Sequence, residues 1–198
     1  MTDAAHEIAT AAARLIVEEG LDYGAAKKRA VKALGLPARS ELPSNERVED
    51  EVRAYIDLFC ADTQPAELAA LRELAATWME RLAAFRPHLT GAVWRGTATR
   101  LSDIHLQLYC DDSKSAELAL IDRRVDYDVG STDGPRGEPV DVLTLASTSP
   151  SLGQRVLIHL TILDHDDLRG ALKPDSRGRP WRGDLQALRA LMQQGLAA

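Results

Sequence analysis

The chain has 198 residues, 45% of them hydrophobic, which is enough for one large domain or two small ones to bury an ordinary core. Its 30 acidic and 24 basic residues give a net charge of −6, which disfavours nucleic acid as a non-specific partner. No apolar run is long enough to cross a bilayer, and residues 1–15 lack the pattern of a signal peptide, so we expect a cytoplasmic protein without a membrane partner.

The N-terminal part of the chain has helical periodicity almost throughout. Its apolar residues recur at spacings of three and four, and glycine or proline follows where the pattern stops. No segment before Pro87 alternates as a strand does. We therefore predict a helical N-terminal domain over residues 1–86, with helices over residues 8–20, 23–35, 48–59 and 65–85.

After Pro87 the periodicity changes from helical to alternating. Helices are predicted over residues 113–123 and 185–192, and strands over residues 89–94, 104–110, 125–129, 140–146 and 155–163. Residues 172–183 form a predicted loop rich in Pro, Gly and basic side chains, namely Lys173, Arg177, Arg179 and Arg182. The pattern predicts an α+β fold, with a mixed sheet and flanking helices in a second domain over residues 87–198.

One segment of this second domain has an order that favours phosphate chemistry. Residues 91–106 read GAVWRGTATRLSDIHL, with a glycine turn and an Arg-Gly pair ahead of a strand. A glycine at a strand-to-helix turn lets the backbone approach phosphate groups, to which the helix then presents unpaired N–H groups. Asp103 and His105 are two positions apart at the start of the strand, so their side chains share one face.

This segment resembles the signature of the nucleotidyltransferase superfamily, particularly its minimal bacterial members. In those proteins a Gly-Ser turn opens a short helix, an Arg-Gly follows, and a strand begins with Ser-Asp-hydrophobic-Asp-Leu. The resemblance implies a nucleotidyltransferase-like mixed sheet with the helical N-terminal region packed on it. It also implies transfer of a nucleoside monophosphate from a nucleoside triphosphate to a hydroxyl acceptor, with a divalent metal, Mg or Mn, as cofactor.

The resemblance also implies roles for particular residues. The nucleotide would be held by Gly91, Ala92, Arg95, Gly96 and Ser102. The catalytic and metal-binding residues would be Asp103, His105 and a third carboxylate, for which Asp141 is the best match. Asp126 and Asp128 compete with Asp141, because they directly follow the intervening helix and share a face. Small members of the superfamily pair with helical proteins, so the N-terminal helices imply a protein partner or a homo-oligomer.

Two chemical positions depart from the family pattern. Ala92 stands where serine is expected, and His105 stands where the second aspartate is expected. Magnesium prefers carboxylate and phosphate oxygens, whereas imidazole suits transition metals better. These departures favour an alternative, in which the chain is a catalytically impaired member that serves as a nucleotide-binding or protein-interaction module.

Several other residues and motifs are given no functional role. His159 lies two positions from Leu157 and from Thr161 on a predicted strand and is interpreted as a sheet-face residue. Residues 164–167 are interpreted as a helix cap. Cys60 and Cys110 lie in apolar-patterned segments and are predicted to be buried thiols of a reducing compartment. The sequence contains no GxxxxGK[ST], which disfavours a P-loop kinase or ligase, and it contains no HExxH, GxSxG or paired CxxC.

Overall fold

The computed structural model describes residues 3–110, 112–171 and 173–196, and these divide into two compact units. Unit 1 consists of the chain up to residue 68 together with residues 97–102, and unit 2 consists of residues 69–96 and the chain from residue 103 onward. None of the described helices is long and apolar enough to span a membrane. The domain boundary between residues 86 and 87 stays a prediction, because compactness alone does not identify independently folding domains.

Unit 1 is built on three helices, α1 (Asp3–Glu19), α2 (Tyr23–Ala33) and α3 (Asn45–Phe59). The side chains of Asp22 and Ser44 accept hydrogen bonds from the first turns of α2 and α3, which fixes where these two helices begin. A fourth helix, α4 (Gln64–Arg81), begins in unit 1 and continues into unit 2. The core of unit 1 consists of small and β-branched side chains, mainly Ile8, Ala12, Val17, Ala26, Ala30, Val48, Val52 and Ile56.

Unit 2 is built on a mixed six-stranded sheet in the order β3-β4-β5-β2-β1-β6. Among the strands of the described residues, only β2 and β5 pair in parallel, and the remaining neighbours are antiparallel. The strands are β1 (His88–Thr90), β2 (Ile104–Tyr109), β3 (Tyr127–Asp133), β4 (Pro139–Ser149), β5 (Gln154–Leu163) and β6 (Arg182–Gly183). The helices that follow α4 are α5 (Gly91–Arg95), α6 (Ser113–Asp122), α7 (Leu168–Ala171) and α8 (Leu185–Leu196).

The two faces of the sheet differ in chemistry. One face is apolar and buried, and it carries Leu89, Ile104, Leu106, Leu108, Leu143, Leu145, Ile158 and Leu160. Alternation along each strand places polar side chains on the opposite face, which we call the polar face, including His105, Gln107, Thr144, His159 and Thr161. The period-two pattern therefore separates the core of unit 2 from the surface on which chemistry is possible.

The α+β fold class is confirmed, and several boundaries differ from the prediction. Residues 91–95 form α5 instead of the second half of a strand, because Gly91 adopts a left-handed φ of 70° that ends β1. The third strand covers Tyr127–Asp133 and not residues 125–129, and the two-residue β6 is not predicted by the sequence pattern. Cys60 and Cys110 are half-buried rather than buried. The first residue of the predicted basic loop, Leu172, lies outside the described residues.

Candidate functional site

The glycine turn lies directly beside His105. Thr90 ends β1 in an extended conformation, and Gly91 then begins α5. A Cβ atom built on Gly91 would lie 3.6 Å from Cδ2 of His105, so the backbone passes close to the imidazole ring. Two parts of the motif, separated by fourteen positions in the sequence, therefore meet at one point of the polar face, since Thr90 pairs with His105 across β1 and β2.

A row of residues in register crosses all six strands of the polar face. The pairings join Asp128 to Thr144, Thr144 to His159, His159 to His105, His105 to Thr90, and Thr90 to Arg182. Residues directly opposite one another on neighbouring strands lie on the same face. The two histidines are adjacent because β2 and β5 are parallel neighbours.

A carboxylate, an imidazole and a hydroxyl form a hydrogen-bonded chain at the centre of this row. His159 Nε2 lies 3.0 Å from Oδ2 of Asp103, and His159 Nδ1 lies 2.9 Å from Oγ1 of Thr144. The ring of His105 stacks on that of His159 with centroids 4.8 Å apart and planes at 21°. The Asp103 side chain is 40% exposed and that of His159 is 22% exposed, so the chain is open to solvent at its Asp103 end.

The competing third carboxylates are placed differently. Asp141 lies two and four residues before Leu143 and Leu145 on β4, so it is on the same side of the strand as these two leucines, which are buried on the apolar face. The structure therefore does not bring Asp141 to Asp103 and His105. Asp128 lies on the polar face, but two strands from His159, which corresponds to about 10 Å. Asp126 precedes β3 and is exposed. None of the three lies in the Asp103–His159 cluster.

Arg95, the arginine of the Arg-Gly pair, is held by a carboxylate of the chain itself. Its Nη2 donates to Oδ2 of Asp175 over 2.9 Å, with side-chain exposures of only 6% and 0%. The guanidinium carbon lies 4.7 Å from the ring centre of Trp181. Asp175 also accepts from the backbone amides of Arg177 and Arg179, over 2.9 and 2.8 Å. Arg95 thus anchors the loop that contains Asp175 to α5.

The remaining predicted nucleotide-binding residues form turns. Ala92 lies in the first turn of α5 and is half-exposed. Gly96 ends the helix with a left-handed φ of 82°, and its N–H donates to the carbonyl of Ala92. Within unit 1, the hydroxyl of Ser102 accepts the amide of Thr99 over 3.0 Å and closes a local turn. Gly96 and Ser102 thus each have a local structural role in a turn.

The geometry of the histidine pair bears on metal binding. Among the described residues, no three His, Cys, Asp or Glu side chains are arranged to hold a metal ion. The lone pair of an imidazole nitrogen lies in the plane of its ring, so two nearly parallel stacked rings do not direct lone pairs at one point. Both nitrogens of His159 are also hydrogen-bonded. A metal at this place would require at least one ring to rotate.

Two residues of this region are not found by reasoning from the sequence. His159 is interpreted there as an ordinary sheet-face residue, although its position opposite His105 follows from the parallel pairing of β2 and β5. The only signal in the sequence is the alternation along that strand, which does not reveal its neighbour. Asp175 has no role in the predicted site, because its function depends on contacts with Arg95, eighty positions away.

Comparison with known proteins gives little further information. No protein-family model matches the chain, and no curated protein matches it. A crystal structure of Cid1 poly(U) polymerase with MgGTP bound is similar at a TM-score of 0.34 and 16% identity. That similarity covers 51% of this chain and 32% of the other chain, and it is too slight to carry an argument about fold or activity.

Proposed function

We propose that this chain is a nucleotidyltransferase-like protein that binds a nucleoside triphosphate without magnesium-dependent transfer. The observation that carries the proposal is the cluster of Asp103, His105 and His159, in which two imidazoles and one carboxylate stand together on the polar face beside the Gly91 turn. Imidazoles can donate hydrogen bonds to phosphate oxygens, and they become cationic near neutral pH.

The chemistry of the cluster supports binding without magnesium. Mg²⁺ is bound in proteins mainly through carboxylate and phosphate oxygens, and Asp103 supplies the one carboxylate of this cluster. Its Oδ2 is engaged by His159 Nε2. The carboxylate therefore serves to orient the imidazole of His159, and the imidazole that would face a phosphate is that of the stacked His105.

The test is thermal unfolding with each of the four ribonucleoside triphosphates, in magnesium and in chelator. For the wild type we expect a triphosphate to raise Tm equally in both conditions. A ligand at about a hundred times its dissociation constant stabilises by roughly 2.7 kcal/mol, which is about 5–10 °C for a chain of this size. No shift with any triphosphate would overturn nucleotide binding, and a shift only in magnesium would overturn the metal-independent mode.

A double variant, His105→Asp with His159→Asp, tests the cause. It places three carboxylates at positions 103, 105 and 159 of the polar face, so we expect magnesium alone to raise its Tm by several degrees. Its Tm without metal should be lower than that of the wild type, because the carboxylates repel one another. The matched control, His105→Asn with His159→Asn, removes the same imidazoles without adding charge and should gain no response to magnesium.

The second candidate is metal-dependent nucleotidyl transfer with a different metal. Two imidazoles and one carboxylate are ligand types that suit a transition metal such as zinc, and Asp103, His105 and His159 together have this composition. Asp103 and His105, from the catalytic set implied by the family resemblance, belong to this candidate, whereas Asp141 lies on the opposite face of the sheet. Stabilisation of the wild type by zinc, lost in the double variant His105→Asn with His159→Asn, would support it over the first.

A further inference from the structure

Arg182 is a half-buried arginine on the polar face. It begins β6 and shares its face with Thr90 and His105, since Thr90 pairs with both. Its Nη1 donates to Oε1 of Gln107 and, over 3.2 Å, to the hydroxyl of Tyr109. Its Nε is buried without a hydrogen-bond partner, and among the described residues no carboxylate pairs with its guanidinium.

Both acceptors of Arg182 are neutral. The amide oxygen of Gln107 also accepts from the Tyr109 hydroxyl over 3.0 Å, which shows the phenol acting as a donor. Burial raises the pKa of Tyr109, and the hydrogen bond from Arg182 lowers that pKa only in part, so the phenol is uncharged at neutral pH. Asp167 acts on Tyr109 more weakly and is itself paired with Arg136 over 2.9 Å. The charge of Arg182 is therefore left unneutralised by its contacts.

An unneutralised, half-buried guanidinium is unusual, because burying a charge is costly unless an opposite charge or hydrogen bonds compensate. The contrast within this protein is direct. Arg95 is buried against Asp175, whereas Arg182 reaches only neutral acceptors and retains a buried unsatisfied Nε. An anion brought by a ligand would supply the missing charge, and a guanidinium forms strong charge-assisted hydrogen bonds with phosphate.

The position of Arg182 connects it with the candidate site. Gln107 follows His105 by two residues on β2, so the guanidinium lies about 7 Å along the strand from the histidine pair. We propose that Arg182 is the phosphate-binding arginine of this site and holds a phosphate group of a nucleotide bound beside Gly91 and His105. The nucleotide in this statement rests on the proposed function, whereas the anion site rests on Arg182 and its neighbours.

The test is calorimetric titration with sodium tripolyphosphate and with the triphosphate that gives the largest thermal shift, both in chelator. Arg182→Gln is expected to weaken binding of both ligands by about 10- to 100-fold, since charge-assisted hydrogen bonds are lost. The matched control is Arg155→Gln, which removes an exposed arginine from the polar face at β5 and should leave both affinities within about threefold. Equal affinities of the two variants would overturn the proposal.

Two further measurements separate the possible outcomes. If Arg182→Gln fails to fold, Tyr109→Phe and Arg182→Lys replace it. Tyr109→Phe keeps the guanidinium and should retain binding. Arg182→Lys keeps a positive charge without the planar guanidinium and should bind with intermediate affinity. Tripolyphosphate binding that depends on Arg182, without any binding of nucleotides, would support the anion site and overturn the proposed function. Nucleotide binding that does not respond to Arg182→Gln would support the proposed function and overturn the role of Arg182.

Discussion

Replacing Gly183 by alanine is expected to destabilise the folded protein by about 1–3 kcal/mol. A Cβ atom at this position would lie 2.1 Å from Cη2 and 2.4 Å from Cζ3 of Trp94. The indole cannot easily give way, because it is only 7% exposed and its Nε1 donates to the carbonyl of Pro180 over 2.8 Å. Chemical denaturation with urea, followed by tryptophan fluorescence, measures the change in the free energy of unfolding.

The matched control for this prediction is Gly195→Ala. Gly195 lies in α8, and a methyl group on its Cα would meet no heavy atom within 4 Å, so alanine should leave stability unchanged or raise it by up to about 1 kcal/mol. Trp94→Leu should relieve the clash, so the double variant with Gly183→Ala is expected to lose less stability than the two single losses added together. Strict additivity would contradict the close packing of Gly183 on the indole.

Replacing Asp175 by alanine is expected to lower Tm by roughly 5–10 °C, because Arg95 would be left buried without its carboxylate. The variant also removes the acceptor of the Arg177 and Arg179 amides, so hydrogen exchange in residues 173–181 should accelerate. Glu80→Gln is the control, since Glu80 pairs with Arg189 while both side chains are more than half exposed. Its Tm should change little, and an equally small change for Asp175→Ala would refute the anchoring role.

The same carboxylate gives a pH dependence of defined sign. Burial raises the pKa of Asp175, but the hydrogen bonds from the Arg179 and Arg177 amides and from Arg95 lower that pKa by more than burial raises it. The pKa of Asp175 in the folded protein is therefore well below its usual range. In acid the unfolded chain therefore takes up this proton before the folded chain does. The contribution of Asp175 is complete above about pH 4 and is lost as pH falls further. Asp175→Asn should flatten the fall of Tm in this acidic range, and identical slopes would contradict the lowered pKa.

The features that depend on local pattern could be predicted from the sequence. The α+β class follows from the change of period at Pro87, and the approach of Gly91 to His105 on β2 follows from one contiguous motif. Features that depend on distant pairings could not be predicted. The placing of His159 beside His105 is decided by strand order and register, which no local spacing encodes. The motif implies a phosphate-binding role for Arg95. Its pairing with Asp175 could not be predicted, because Asp175 lies eighty positions further along the chain.

The single parallel pairing in the sheet has a consequence for the order of folding. The hairpin β4-β5 closes over a short turn, whereas β2 and β5 pair across 54 positions, as with Ile104 and Ile158. A contact between residues far apart in the sequence restricts a longer segment of chain, so forming it costs more conformational entropy before the contact contributes stability. The stacking of His105 on His159 and the bond from His159 to Asp103 bridge this same long segment. We therefore expect the candidate site to assemble after the β4-β5 hairpin, and ligand binding during refolding would report this later step.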